Sequence, residues 1–170
     1  MHMADALLAP AVAATMYAAP TVTAGASIVK LNREEKLDHE LAAKKLPTMA
    51  VMSALVFAGQ MINYTIPGTG SSGHICGGML LTSVLGPWAG FLSMIAVLAI
   101  QCLFFADGGL MALGANIWNM AFYGCFVGYF LIYRPIMHSN WFSGKGEKAA
   151  GRLRIFAASD IGWIVTLQHY

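Results

Sequence analysis

Long apolar stretches are the feature that most constrains this chain. A helix needs about 20 mostly apolar residues to cross the hydrocarbon core of a bilayer. Apolar residues make up 58% of the 170, and charged residues only 11%, whereas roughly 25% of an average soluble domain is charged. We therefore expect an all-α integral membrane protein forming one domain, residues 1–170, a bundle of about six transmembrane helices. The candidate stretches are 7–29, 46–66, 75–86, 88–106, 110–133 and 155–170.

The basic residues indicate an orientation. All ten Lys and Arg residues lie in segments 30–45 and 134–154. Cytoplasmic flanks of membrane proteins are enriched in such residues. We expect cytoplasmic loops at about 30–46 and 134–154, in a cell (inner or plasma) membrane, provided that 75–86 counts as a crossing. The N-terminus, loop 67–73 and turn 107–109 then face outward. The low charged fraction indicates lipid surroundings, and the net charge of +2 indicates no nucleic-acid partner.

Two stretches need separate interpretation. The first span carries Ala24-Gly25-Ala26, which is similar to a signal-peptide cleavage site, but no basic residue precedes Lys30. A secretory signal needs a basic start, so a retained span is favoured. The last stretch contains Asp160 and is short for a span. Both a span that is cut off and an unusual terminus remain open.

The opening Met1-His2 offers a metal site. The terminal amine, the amide nitrogen of His2 and its imidazole Nδ1 place three nitrogens almost in one plane around an ion. Nitrogen ligands in a tetragonal arrangement suit Ni(II) or Cu(II), and imidazole suits Co(II) as well. The topology puts His74 on the same face, after a Gly/Ser-rich loop, so it is the candidate fourth donor. A chance Met-His start and an ordinary paired histidine at a helix start remain the alternatives.

Two motifs that suggest other functions do not fit. Residues 68–73 match G-x-G-x-x-G, but this motif indicates dinucleotide binding only between a strand and a helix. Ser71 or Ser72 with His74 lacks a third triad member and the G-x-S-x-G elbow of a hydrolase. We therefore predict no catalytic residue, no organic cofactor and no enzyme activity in this chain.

Several ordered blocks resemble the CbiM/NikM family, the substrate-capture membrane subunits of energy-coupling-factor (ECF) importers for cobalt and nickel. The resemblance extends from residue 1 to about 133 and weakens beyond residue 155. The blocks are MHMADALLAP at 1–10, GHICGG at 73–78, LGPWA at 85–89, FADGGL at 105–110 and GANIWNM at 114–120.

The resemblance implies a site and a substrate. The N-terminal segment is expected to fold back into the bundle, where Met1, His2 and His74 hold Co(II) or Ni(II) as the transported ion. Asn116, Asn119 and Ser72 are expected to support the site. From the residues alone, the two asparagines are equally compatible with simple contacts between helices. The ligand types leave the choice between cobalt and nickel open.

The resemblance also implies partners. Members of this family work with a transmembrane coupling subunit and cytoplasmic ATPase subunits. A small accessory membrane subunit is a further partner that the resemblance allows. The sequence has no Gly-Lys-Ser/Thr phosphate-binding motif, which agrees with ATP hydrolysis on another chain. Small residues on the first span fit a docking surface or packing within the chain: Ala9, Ala13, Ala14 and Ala18. A stand-alone metal channel or facilitator and a membrane metal sensor are the alternative functions.

Overall fold

The computed structural model describes residues 9–62, 64–66, 71–73 and 76–135, and most of these residues are helical. The helical content confirms the predicted all-α class. The N-terminal segment 1–8 and the sixth stretch lie outside the described residues, so the bundle of about six transmembrane helices stays a prediction. The elements in chain order are α1 (Pro10–Leu37), α2 (His39–Met61), β1 (Tyr64–Ile66), β2 (Ser71–Gly73), α3 (Gly78–Leu85), α4 (Pro87–Phe105), α5 (Leu113–Asn116) and α6 (Ile117–Tyr133).

Helices α1 and α2 form a hairpin that replaces most of the predicted loop at 30–46. Only Asp38 separates them, in an extended conformation with φ −148°. Lys45 bridges to Glu34 across the hairpin at 2.8 Å, and Lys44 pairs with Glu40 within α2 at 2.8 Å. Oppositely charged residues four apart support a helix. The charged segment is therefore two helix ends and one linking residue.

The second predicted span ends earlier than expected, because α2 stops at Met61 and residues 64–66 are a strand. Strand β1 pairs antiparallel with β2, with Thr65 opposite Ser72. Tyr, Thr and Ile favour extended chain, so the local composition of 64–66 outweighs the apolar run that suggested a helix. The end of the predicted Gly/Ser-rich loop is thus a strand, Ser71–Gly73.

Helices α3 and α4 pack closely around a glycine turn. Gly86 joins them with φ +83°, a conformation that L side chains rarely adopt. A Cβ at Gly90 on α4 would lie 2.9 Å from Cγ2 of Thr82 on α3, so only glycine permits this approach. Helix α3 has eight residues, five of them buried. It is the short helix among neighbours that the sequence predicts for 75–86.

The core lies between α3, α4 and α6. Phe91 and Leu98 on α4 are fully buried with Leu81 on α3, and the Trp88 ring meets Phe126 of α6 edge-on at 4.9 Å. Helix α6 is a π-helix of 17 residues, a geometry that is rare and usually confined to single turns. Three described segments are long and apolar enough to cross a membrane: Pro10–Leu37, Pro87–Phe105 and Leu113–Tyr133.

Candidate functional site

The contacts between helices give the bundle two distinct ends. At the first, which we call the basic end, the Lys30 ammonium lies 4.9 Å from the centre of the Trp88 ring, and Lys45 pairs with Glu34. At the second, which we call the opposite end, the Tyr17 hydroxyl donates to the carbonyl of Leu110. Helix α4 runs from the basic end to the opposite end, because Trp88 is at its start and Leu110 comes five positions after its last residue, Phe105.

Segment 76–88 also connects the two ends. Cys76 lies beside Gln60, near the end of α2, while Trp88 lies beside Lys30. The short α3 therefore carries the chain from the opposite end towards the basic end. With eight residues, α3 is not among the candidate spans of the described chain, and a crossing at 75–86 stays a prediction.

The predicted metal ligands Met1, His2 and His74 lie outside the described residues. Their described neighbours in the chain can be placed. Helix α1 begins at Pro10, and its first half packs at the opposite end, where a Cβ on Gly114 would lie 3.0 Å from the backbone of Met16. Cys76, two residues after His74, is at the same end. Both candidate segments therefore join described residues at one end of the bundle.

A pair of buried glutamines, which we call the glutamine relay (Gln60 and Gln101), holds the backbone at Cys76. The Gln60 side-chain amide donates to the carbonyl oxygen of Cys76 at 2.6 Å and approaches the sulfur of Met94 at 3.6 Å. Gln101 donates to the side-chain oxygen of Gln60 at 2.9 Å. Gln60 is 1% exposed and Gln101 is fully buried. The relay thus links α2, α4 and the segment that follows His74.

A tight backbone contact fixes the next residue. Gly77 has φ +73°, and a Cβ there would lie 2.5 Å from Cγ1 of Val56. Val56 and Gln60 are four residues apart on α2, so they occupy one helix face. On this face, Gln60 donates a hydrogen bond to Cys76, and Val56 packs closely against Gly77. Segment 76–77 is therefore held at two successive residues.

The structure places the predicted supporting residues in different surroundings. Asn116 ends α5 and is 1% exposed, and its backbone N–H donates to Ala112. Asn119 is half-buried on α6. Ser72 lies in β2 opposite Thr65. Their contribution to a metal site stays a prediction.

The sequence reasoning missed the glutamine relay, although a signal was present. Gln60 and Gln101 each interrupt an otherwise apolar stretch, and polar residues within membrane segments mark functional sites or buried contacts. Among the residues that the structure describes, no three His, Cys, Asp or Glu side chains are grouped to hold a metal ion. A site with three such donors therefore needs at least one from outside the described part of the chain.

Comparison with known proteins identifies the family. A family model described as "Cobalt uptake substrate-specific transmembrane region" matches residues 2–167. A putative fused nickel transport protein of Archaeoglobus fulgidus is 45% identical over 164 residues, 96% of this chain and 48% of that protein. The chain thus spans about half the length of this relative. A putative metal transport protein of Haloquadratum walsbyi is 38% identical over 165 residues, covering 96% of this chain and 72% of that protein.

A solved structure agrees in fold. The crystal structure of a truncated transition metal transporter superposes with a TM-score of 0.73 at 38% identity, covering 98% of this chain and 74% of that one. Together with the family match over residues 2–167, this similarity extends the sequence resemblance to nearly the whole chain, beyond the blocks that end near residue 133. The chain belongs to the CbiM family.

Proposed function

We propose that this protein is the membrane subunit that captures Co(II) or Ni(II) for an ATP-driven importer of the ECF type. The family description names cobalt uptake, and relatives are named for nickel and for cobalt transport. The observation that carries the proposal concerns the described residues that adjoin the two candidate ligand segments, Met1-His2 and His74. The described residues next to both candidate ligand segments lie at one end of the bundle, where Gln60 holds Cys76.

The proposed site combines the Met1 amine, the His2 amide and imidazole, and the His74 imidazole. Ala9 is seven positions after His2, a reach of at most about 24 Å for extended chain. His74 is within about 7 Å of Cys76 by the same measure. Four nitrogen donors suit Ni(II) or Co(II) and exclude hard cations that prefer oxygen. Asn116, Asn119 and Ser72 are proposed to orient these ligands.

The proposed orientation places the opposite end outside the cell. The basic end carries the Lys residues of the α1–α2 hairpin and Arg134, and basic flanks remain in the cytoplasm. Ala14 and Ala18 on α1 are exposed, as is Ala9 just before the helix, while Ala13 is buried. Small exposed residues let another helix approach closely. We propose this face of α1 as the docking surface for a transmembrane coupling subunit, with ATP hydrolysis on separate cytoplasmic subunits.

A matched pair of proteins tests the ligand set. One form carries an N-terminal fusion, so that residue 1 has no free amine. The other is the same protein after proteolysis that leaves Met1 first, checked by mass spectrometry. Since the fused form lacks a direct donor, we expect its Ni(II) and Co(II) affinity in calorimetry to be at least about 100-fold lower. His74→Ala should weaken binding as well, while His39→Ala at the basic end serves as the control.

Equal affinity in the fused and cleaved forms would overturn the ligand set. Uptake into proteoliposomes tests the mechanism. Uptake that needs the coupling and ATPase subunits supports the capture role. Uptake by this chain alone would favour a channel or facilitator, and binding without any uptake in the complete assembly would favour a sensor.

A further inference from the structure

The glutamine relay has a direction that is set by a backbone carbonyl. A carbonyl oxygen only accepts hydrogen bonds, so Gln60 must turn its NH₂ group towards Cys76. Its side-chain oxygen then faces Gln101, which must in turn present its own NH₂ group. The two amide orientations are therefore fixed by the hydrogen-bond pattern itself. The relay ends in the side-chain oxygen of Gln101.

That terminal oxygen has no hydrogen-bond partner among the described residues, although it is buried. Nearly all buried polar atoms in proteins are paired, and an unpaired one calls for an explanation. Ser93 Oγ is the other unpaired buried side-chain atom in the described part of the chain. It lies eight residues earlier on α4, about 12 Å along the helix. The Gln101 oxygen differs from it because it terminates a chain of hydrogen bonds that begins at Cys76, two residues after His74 in the sequence.

We propose that Gln60 and Gln101 are positioning residues for metal capture. Gln60 locks the backbone at Cys76, and the Gln101 side-chain oxygen is a reserved acceptor. It is filled when the ion is bound, by an N–H or O–H group on one of the metal ligands. Ligation to a cation makes such a group a stronger donor. The inference rests on the proposed function, and it adds two residues that the sequence motifs do not include.

Hydrogen bonds from neighbouring residues to metal ligands hold those ligands in place. Their loss typically lowers metal affinity 10- to 100-fold. Gln101→Leu removes the reserved acceptor and leaves the Gln60 oxygen without its donor, so one unpaired buried oxygen is exchanged for another. The metal-free protein should therefore keep its melting temperature. We expect its Ni(II) affinity to fall at least about tenfold.

Ser93→Ala is the matched control. It removes an unpaired buried oxygen from the same helix but leaves the relay intact, and we expect its Ni(II) affinity to equal that of the unmodified protein. Gln60→Met removes the bond to Cys76 and should weaken Ni(II) binding too. The double variant Gln60→Met with Gln101→Leu should lose no more Ni(II) affinity than the single variant with the larger loss. The effects of residues that act through one hydrogen-bond network are not additive.

Infrared spectroscopy separates positioning from general stability. The chain has three glutamines, Gln60, Gln101 and Gln168, so carbonyl ¹³C labelling of glutamine gives few bands. Addition of Ni(II) should shift one side-chain carbonyl band to lower frequency, as expected of an oxygen that gains a hydrogen bond. The shift should be absent in Gln101→Leu and present in Ser93→Ala. An unshifted spectrum on metal binding would contradict the reserved acceptor.

A measurement without metal tests whether the Gln60 hydrogen bond holds the backbone at Cys76. In Gln60→Met, alkylation of the Cys76 thiol, followed by peptide mass spectrometry, should be about tenfold faster than in the unmodified protein. An unchanged rate would overturn the lock. If the unmodified protein binds Ni(II) through Met1, His2 and His74 and Gln101→Leu binds equally well, only this inference fails. If the unmodified protein binds neither Ni(II) nor Co(II), the proposed function fails, and the reserved acceptor with it.

Discussion

The two ends of the bundle use polar side chains in opposite ways. At the basic end, the Lys44–Glu40 pair has side chains 73% and 82% exposed. At the opposite end, Gln60 and Gln101 are buried and bonded to each other and to the backbone. Exposed ion pairs contribute little to stability and tolerate replacement, whereas buried amides require partners in exact positions. The exposed pair at the basic end therefore constrains the fold little, whereas the glutamine relay fixes the relative positions of α2, α4 and Cys76.

The largest effect is expected where the opposite end is tightest. Gly77→Ala places a methyl group 2.5 Å from Cγ1 of Val56, at a residue with φ +73°. The left-handed conformation costs an alanine about 1–2 kcal/mol, and overpacking adds about 1–3 kcal/mol. We expect the free energy of unfolding, measured by denaturant titration in detergent micelles, to fall by about 3 kcal/mol.

Gly25→Ala on α1 is the control for this change. A Cβ at Gly25 would meet no atom within 4 Å, and alanine is the better helix former by about 1 kcal/mol. We expect the free energy of unfolding to stay the same or rise. Adding Val56→Ala to Gly77→Ala should recover part of the loss by relieving the clash. An undiminished free energy of unfolding in Gly77→Ala would show that segment 76–77 is not clamped.

The sequence predicts the helical class and the approximate positions of α1, α4 and α6, because length and hydropathy suffice for them. Two boundaries depend on information that hydropathy does not carry. The run 46–66 continues past Met61 in composition, but Tyr64–Ile66 pairs with Ser71–Gly73. The charged run 30–46 looks like a loop, but it consists of two helix ends that the Lys45–Glu34 ion pair joins.

The sequence predicted the part of the candidate site that local motifs contain, and it missed the part that depends on contacts between distant residues. Met1, His2 and His74 come from ligand chemistry and resemblance, since their residue types and spacing are visible in the sequence. The glutamine relay depends on the meeting of residues 41 positions apart on α2 and α4, and no local pattern encodes this contact. Even so, an amide inside an apolar run is unusual enough to single out Gln60 and Gln101 before any fold is known.

A smaller effect of the opposite sign is expected at Ser93, between the two ends. Its hydroxyl oxygen is buried without a partner among the described residues, and an unpaired buried polar atom costs about 1–3 kcal/mol. Ser93→Ala should therefore raise the free energy of unfolding by about 1 kcal/mol, measured as in Gly77→Ala. A decrease would mean that the Ser93 oxygen has a hydrogen-bond partner. The unpaired oxygen of Gln101 on the same helix would then no longer distinguish the opposite end.

The smallest effect is expected at the basic end. Lys44→Gln removes one exposed partner of an ion pair within α2, and such pairs contribute about 0.3–0.5 kcal/mol. The loss should disappear at 1 M salt, where the screening length is about 3 Å. Lys45→Gln breaks the less exposed pair that joins α1 to α2 and should cost more. If Lys44→Gln cost as much as Gly77→Ala, the basic end would have to be a structural site, and the contrast between the two ends would fail. A small, salt-sensitive loss instead means that the charges of this end are free to serve topology and partner binding without constraining the fold.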